Sequence, residues 1–296
     1  MRTDRLILSA AAYICCNILP CLAQSVSVEM VSVNSVGERA DLDVTTPCFT
    51  QVLRSSISAD GSVIAFTSAA DNLVANDTNN APDVFVRDRT SGETLRVSVP
   101  NIGLEDDPSL YEAHPDHPLH CGSGYPTVSE NGRKVLFASW AKLTSEYDPR
   151  PGMPDLYVHD RDTGETRLIN LGPNGPVDTW YISELASNNV FLNAVGGLTS
   201  EIDVSDDVQH VWMHTLETGD NYLVSKSSDG TPADATSGLI DVSADGRYVL
   251  IFSASALDRR YEAGPGYGIF VHDVETGQTQ RINDPVAKAA RASQST

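Results

Sequence analysis

Three histidines spaced three residues apart are the group in this sequence best suited to binding a metal ion. They are His114, His117 and His120, and a proline follows each of the first two. Prolines favour a polyproline II path, whose three residues per turn would place the three imidazoles on one face. With Asp116 beside them, this set predicts a zinc or copper site. The alternative is a solvated loop, because one such turn advances the chain by about 9 Å and separates the ligands.

A second group of candidate metal ligands lies earlier in the chain. Asp77, Asn79 and Asp83 bring carboxylate and amide oxygens together within one short segment. Calcium takes six or more oxygen ligands, so these three predict part of a calcium site. The glycine and the final glutamate of an EF-hand loop are missing, and the alternative is that these side chains cap turns.

The first 23 residues have the features of a secretory signal peptide. Arg2 and Arg5 precede a mostly apolar stretch at 6–22, and Ala23 supplies a small residue at the expected cleavage site. The stretch is short and contains Asn17 and Pro20, which argues against a stable membrane span. The sequence therefore predicts an extracytoplasmic protein, periplasmic or secreted, with a lipid-modified cysteine as the alternative.

Removal of that segment leaves two cysteines, Cys48 and Cys121. An even number of cysteines in an oxidising compartment favours a disulfide. Each cysteine comes shortly before a copy of the repeat described below, and equivalent positions on neighbouring repeats lie close together. We therefore expect a Cys48–Cys121 disulfide, with two buried thiols as the alternative.

The charge balance limits the classes of partner. The chain has 40 acidic and 20 basic residues, a formal net charge of −20. This charge repels nucleic acid and anionic lipid surfaces. It leaves cationic ligands, divalent metals and basic protein surfaces as partners.

The elements that position these residues come from one pattern that recurs four times. In the first copy, Ser-Ala-Asp-Gly at 58–61 is followed by an apolar run, then by Asp-Val-Phe-Val-Arg-Asp at 83–88 and Ser-Gly-Glu-Thr at 91–94. The second and fourth copies begin at Ser129 and Ser243, and the third, beginning at Ser183, has drifted. Asp-Gly and Thr-Gly form tight hairpin turns, and the alternating segments between them are typical of strands. Each copy thus predicts a four-stranded antiparallel sheet.

This order of segments resembles the TolB-like, WD-type β-propeller repeats of bacterial secreted and periplasmic proteins. The resemblance covers residues 50–283 and implies one propeller domain at 24–283, with blades at about 50–100, 122–170, 178–226 and 236–283, and a tail at 284–296. The predicted fold is all-β, with four recognisable four-stranded antiparallel blades in a closed ring or an open arc. Val28–Val33 copies a fourth strand, which could close the ring or cover an edge. A third possibility is that the chain is one subunit of a larger ring.

Charged residues that recur in step with the repeat are predicted to be structural. Asp88, Asp160 and Asp273 end equivalent strands, where a carboxylate can bond the following turn. The same reasoning applies to Arg96, Arg167 and Arg281, which follow the Thr-Gly turns. The sequence contains no nucleophile elbow, phosphate-binding glycine loop, His-Glu-x-x-His segment or dinucleotide fingerprint, so no catalytic residue is predicted.

The function expected from these observations is that of a non-enzymatic scaffold. Propellers of this type resemble binding scaffolds, which implies that loops at one rim bind a protein or a glycan, with or without a calcium or zinc ion. The alternative is a hydrolase or lyase with a site in the central channel and the histidine-rich loop at 104–121 as lid or ligand donor.

Overall fold

The computed structural model describes residues 28–41, 55–79, 81–101, 122–141, 143–145, 153–258, 260 and 266–283. The chain divides into two compact units, Met1–Met30 and Val31–Thr296, and only residues 28–30 of the first are described. The second unit is built of strands and turns in all its described parts. None of the described residues forms a helix long and apolar enough to cross a bilayer.

Four sheets, which we call blades 1 to 4, follow one another along the chain. Blade 1 comprises β1 (Ser55–Ile57), β2 (Val63–Ser68), β3 (Asp83–Asp88) and β4 (Glu93–Arg96). Blade 2 comprises β5 (Ser123–Val128), β6 (Lys134–Ser139), β7 (Asp155–Asp160) and β8 (Glu165–Leu168). A small hairpin of β9 (Leu171–Gly172) and β10 (Gly175–Pro176) comes next. Blade 3 comprises β11 (Thr179–Ala186), β12 (Asn189–Val195), β13 (Gln209–Thr215) and β14 (Asn221–Leu223), and blade 4 comprises β15 (Ser237–Val242), β16 (Tyr248–Ser253), β17 (Gly268–Asp273) and β18 (Gln278–Arg281).

The order of the strands confirms the predicted all-β propeller fold. In every blade the four strands are hydrogen-bonded in chain order, and every pairing is antiparallel. Sheets of this kind, repeated one beside the next, are the blades of a β-propeller. The four blades do not close on themselves, so of the two predicted arrangements the chain adopts the open arc.

The turn after the first strand owes its shape to its side chains. In blade 1, the Asp60 carboxylate accepts hydrogen bonds from the Ser58 hydroxyl at 2.7 Å and from the backbone amide of Ser62 at 2.9 Å. Gly61 then takes a φ of +71°, which a glycine adopts without steric cost. Asn131 and Asp245 make the corresponding bonds in blades 2 and 4. Blade 3 lacks this sequence and turns at 187–188 instead, with Ser187 at a φ of +54°.

The core lies between blades. We call the side of a blade that meets the next blade in the chain its forward face, and the other side its backward face. The forward face of blade 1, which includes Val84 and Val86, packs on the backward face of blade 2, which includes Phe137 and Tyr157. Blades 2 and 3 and blades 3 and 4 share similar buried clusters. Because each sheet presents an apolar surface on both sides, a blade is stable only against neighbours.

The recurring aspartates act as predicted, and the recurring arginines occupy two different places in their sheets. The carboxylates of Asp88, Asp160 and Asp273 accept hydrogen bonds from backbone amides of the turns that follow them. Arg96 and Arg281 occupy the same place in blades 1 and 4, opposite Phe85 and Phe270. Arg167 lies one residue out of step, since it pairs with Val158 and blade 2 has Leu168 at that place. Its guanidinium donates to the backbone oxygen of Leu216 at 3.1 Å, which is also a structural role.

Candidate functional site

The sequence-predicted site residues fall into two sets. The histidines His114, His117 and His120 and the cysteines Cys48 and Cys121 lie outside the described residues. Their zinc or copper site and their disulfide stay predictions. Asp77, Asn79 and Asp83 are described, and their surroundings can be given in detail.

These three residues form a buried network around one arginine. Arg96 Nη1 lies 3.0 Å from Asp77 Oδ1 and 3.2 Å from Asp83 Oδ2. The Asn79 amide donates to Asp83 Oδ2 at 2.9 Å, and the Ser98 hydroxyl donates to Asp83 Oδ1 at 2.5 Å. Burial raises the pKa of Asp83, and the positive charge of Arg96 and these hydrogen bonds oppose that rise. The structure thus brings the predicted residues together, with a guanidinium as the positive charge they face.

This network gives both carboxylates a positively charged partner from within the chain. Two carboxylates share one arginine, and the Asn79 side chain also accepts the backbone amide of Ala81 at 3.0 Å. Within the described parts of the chain, no three His, Cys, Asp or Glu side chains are grouped so as to hold a metal ion. Calcium binding at Asp77, Asn79 and Asp83 stays a prediction.

The place of Asp83 is a polar anchor in other blades as well. Asp155 accepts a hydrogen bond from the Asn170 amide at 2.8 Å, as Asp83 does from Ser98. In blade 3 the equivalent residue is His210, whose Nδ1 lies 3.3 Å from the Ser225 hydroxyl. His210 Nε2 is buried and makes no hydrogen bond to any described residue, and burial lowers the pKa of this imidazole. Because these groups fasten the start of the third strand to the end of the fourth, we interpret them as structural.

A second set of polar residues joins blades 1, 2 and 4 to the segments that precede them. The Thr166 hydroxyl donates to the backbone oxygen of Val99 at 3.1 Å, and the Thr279 hydroxyl donates to that of Lys226 at 2.6 Å. In blade 1 the Thr94 hydroxyl donates to the Val33 oxygen at 2.6 Å. We call this contact the threonine latch. It ties the end of one blade to the fourth strand of the next.

Histidines on the third strand complete the latch in blades 2 and 4. His159 Nδ1 lies 3.0 Å from Thr166 Oγ1, and His272 Nδ1 lies 2.8 Å from Thr279 Oγ1. Since each threonine hydroxyl gives its proton to a carbonyl, the imidazole Nδ1 must be the donor. Burial lowers the pKa of both histidines, to about 4 for His272. These imidazoles are therefore neutral near pH 7.

In each blade, a long connection joins the second strand to the third. Because the strands are antiparallel, the described residues where the 69–82, 140–154, 196–208 and 254–267 connections begin and end lie at one end of their sheets, and the short turns lie at the other. The short turns of neighbouring blades lie side by side, because Arg161 of blade 2 forms a 2.9 Å ion pair with Asp88 of blade 1. The opposite edge is therefore shared as well, and we call it the loop rim. It differs in sequence from blade to blade, whereas the turns repeat.

The blade 3 connection at 196–208 shows how a loop of this rim is held. Trp212 is buried, and its Nε1 donates to the backbone oxygen of Gly196 at 3.2 Å. Gly196 has a φ of +84°, which starts the loop away from the sheet. The loop then exposes four carboxylates and contains no lysine or arginine; these are Glu201, Asp203, Asp206 and Asp207.

A polar cavity of about 260 Å³ lies at the opposite rim, between the turns of blades 2 and 3. Its charged lining residues are Arg133, Lys134 and Glu217. Arg133 is engaged by Asp160 at 2.8 Å, and Lys134 Nζ donates to Asn188 Oδ1 at 3.2 Å. Burial lowers the pKa of Lys134. The cavity's cations thus hold neighbouring turns together.

Comparison with known proteins gives similar solved structures. TolB from Acinetobacter baumannii is 14% identical with a TM-score of 0.43, and the match covers 78% of this chain and 43% of that one. The β-propeller domain of the Trilobed protease from Pyrococcus furiosus is 14% identical with a TM-score of 0.44, covering 79% and 57%. An oligogalacturonate lyase in complex with manganese is 12% identical with a TM-score of 0.44, covering 79% and 53%.

These likenesses concern the fold alone. The match covers 43% to 57% of the length of these three solved structures. No family model matches the chain, and no curated protein matches it.

Sequence reasoning missed the threonine latch. Thr94, Thr166 and Thr279 recur within the repeated Gly-x-Thr segment, and this recurrence was a usable signal. Their partners lie more than 50 residues earlier in the chain, so the contact follows only from the packing of blades.

Proposed function

We propose that this protein is an extracytoplasmic, non-enzymatic β-propeller that binds a partner with its loop rim. The observation that carries the proposal is the division of the blades into a repeated half and a variable half. The rim that carries the short turns, which we call the turn rim, repeats its hydrogen bonds in blades 1, 2 and 4, while the loop rim carries a different sequence in each blade. Binding residues are characteristically placed on variable loops that a rigid frame positions.

Charge favours a protein with a basic surface as the partner, ahead of a glycan. The four exposed carboxylates of the 196–208 loop have no basic residue within that loop, and the chain as a whole carries a net charge of −20. Opposite charges on two surfaces speed their encounter and fix their orientation. The extracytoplasmic location rests on the signal-like residues 1–23.

The alternative function, a hydrolase or lyase, depends on His114, His117 and His120. These residues lie outside the described ranges, so no contact described here favours it. The loop rim therefore carries the proposal.

Site-specific photo-crosslinking tests which rim binds. A benzophenone amino acid is placed at Glu201 on the loop rim, and in a matched variant at Glu165 on the turn rim; both side chains are exposed. Each variant is irradiated with extracytoplasmic extract, and in parallel is applied to a glycan array. We expect one protein crosslinked from Glu201 and not from Glu165, with weaker capture at high salt. Equal crosslinking from both positions, or none from Glu201, would overturn the proposal.

A further inference from the structure

Residues at one position in the repeat differ sharply in exposure. The position follows the fourth strand, where the backbone amide donates to a carbonyl of the third strand; it holds Val97, Ile169, Val224 and Ile282. The first three are 1%, 2% and 1% exposed, because the next blade covers them. Ile282 of blade 4 is 55% exposed.

The other apolar residues on the forward face of blade 4 are also more exposed than their equivalents in earlier blades. Leu250 faces Val271, and Phe252 faces Ile269, across the β16–β17 ladder, and all four are only partly buried. The equivalent pairs of blade 2, Leu136 with Val158 and Ala138 with Leu156, are buried against blade 3. The forward face of blade 4 is thus an apolar sheet surface of the kind that each earlier blade buries.

The backward face of blade 1 is exposed at one end only: Phe66 and Phe85 are buried in a cluster with Leu73, whereas Ile57 is uncovered. Ile57 pairs directly with Ile64, and Ile57 is 59% exposed. In blades 2 and 3 the equivalents of Ile57 are Val128 and Leu185, which are 5% and 7% exposed because a preceding blade lies against them.

The residues before blade 1 make the same contacts with it that the end of a preceding blade makes with blade 2. The Val33 carbonyl accepts the Thr94 hydroxyl, and the Ser35 hydroxyl accepts the Thr94 amide at 2.9 Å. In blade 2, these partners of the corresponding threonine come from the end of blade 1, through the Val99 carbonyl and the Asn101 side chain. Residues 31–41 therefore reproduce the final segment of a preceding blade.

We propose that two copies of this chain join head to tail, with the forward face of blade 4 in each copy covering the backward face of blade 1 in the other. The interface continues the three blade-to-blade contacts within the chain. Two such contacts close a ring of eight blades, which lies within the four to eight blades that propellers contain. The exposure of Ile57 and Ile282 in one chain shows that they do not cover each other. The ring leaves the loop rim free, so this inference is independent of the partner proposed above.

Charge predicts how this association responds to salt. Each copy carries a net charge of −20, so the copies repel one another at low ionic strength. On the blade 4 face itself, Arg247 and Asp273 neutralise each other at 2.9 Å. Association should therefore strengthen with added salt, which is the opposite of what the basic partner of the loop rim should show.

Sedimentation equilibrium of the purified protein tests the proposal. Ile57→Lys alters only the blade 1 face and Ile282→Lys only the blade 4 face. Leu171→Lys is the matched control, since Leu171 is 39% exposed in the β9–β10 hairpin, outside both faces. We expect wild type and the control to be dimers. Each interface variant should dissociate, with each altered face weakening its contact roughly 10- to 100-fold.

Mixing the two interface variants distinguishes a head-to-tail dimer from one in which like faces meet. In a head-to-tail pair, Ile57→Lys and Ile282→Lys together retain one unaltered contact, so the mixture should form dimers that neither variant forms alone. A monomeric wild type would overturn the proposal. It would also be overturned if Ile282→Lys dissociates while Ile57→Lys remains a dimer, because that result indicates two blade 4 faces in contact. Circular dichroism of each variant confirms that its sheets are intact.

Discussion

Mild acid should destabilise this protein through its buried histidines, and His272 gives the clearest case. Burial lowers the pKa of His272 to about 4, with Lys226 adding to the effect and Asp273 opposing it. In the unfolded chain the ordinary value is about 6.5. Between these two values the unfolded chain binds a proton that the folded protein does not, so the free energy of unfolding falls as the pH falls. Below pH 4 this residue contributes no further loss.

The size of the effect follows from the pKa shift. A shift from 6.5 to about 4 corresponds to roughly 3 kcal/mol of unfolding free energy, lost between those two pH values. His272→Gln is the matched variant. A glutamine amide can donate to the Thr279 hydroxyl in place of Nδ1, but it does not titrate.

Urea unfolding of both proteins at pH 7.5 and pH 4.5 measures the difference. We expect wild type to lose roughly 2 to 3 kcal/mol more than His272→Gln over this interval. The other histidines and the carboxylates titrate in both proteins, so their contributions to the loss of unfolding free energy cancel in the comparison. If the two proteins lose the same stability, the imidazole is not held neutral and the latch geometry is wrong.

Three substitutions test the contacts between and within blades by urea unfolding. Thr166→Val removes a latch hydroxyl and should cost roughly 1–3 kcal/mol, whereas Thr166→Ser keeps the hydroxyl and should cost less; equal losses would contradict the latch. Gly132→Ala should cost roughly 2–4 kcal/mol, because the added Cβ would lie 2.6 Å from a valine methyl of blade 1. Gly164→Ala is its control and should cost roughly 1 kcal/mol, because Gly164 has a similar φ but no atom within 4 Å of the added Cβ. Matching losses would show that the two turns are equally open. Arg96→Met should cost roughly 3–5 kcal/mol because it deprives two buried carboxylates of their arginine. Arg247→Met, at a partly exposed pair, should cost much less. A small loss of stability for Arg96→Met would mean that the buried Asp83 carboxylate does not need the positive charge of Arg96.

The blades could be predicted from the sequence because the signals that form them are local. Asp60 and Gly61 fix a turn within five residues, and the strands on either side alternate in the usual way. The same holds for the strand-ending Asp88, whose partners are the next amides in the chain. Even the drifted third copy forms a blade, since the apolar pattern of β12 survives the loss of Asp-Gly.

What could not be predicted depends on packing across the repeat. Arg167 looks equivalent to Arg96 in sequence, but the register of β7 with β8 places it one residue out of step. Nothing in the sequence near Asp77 and Asp83 indicates that Arg96 lies between them. The exposure of Ile282 becomes meaningful only when the three buried residues at its position are known.

Carbene footprinting of the dilute protein tests the central claim, that four blades form an open arc with two uncovered ends, most directly. The account predicts heavy labelling of Ile57 and Ile282 and almost none of Val128 and Ile169, their counterparts between blades. Labelling of Ile282 as low as that of Ile169 at every dilution would show that the chain covers its own end, and would contradict the account.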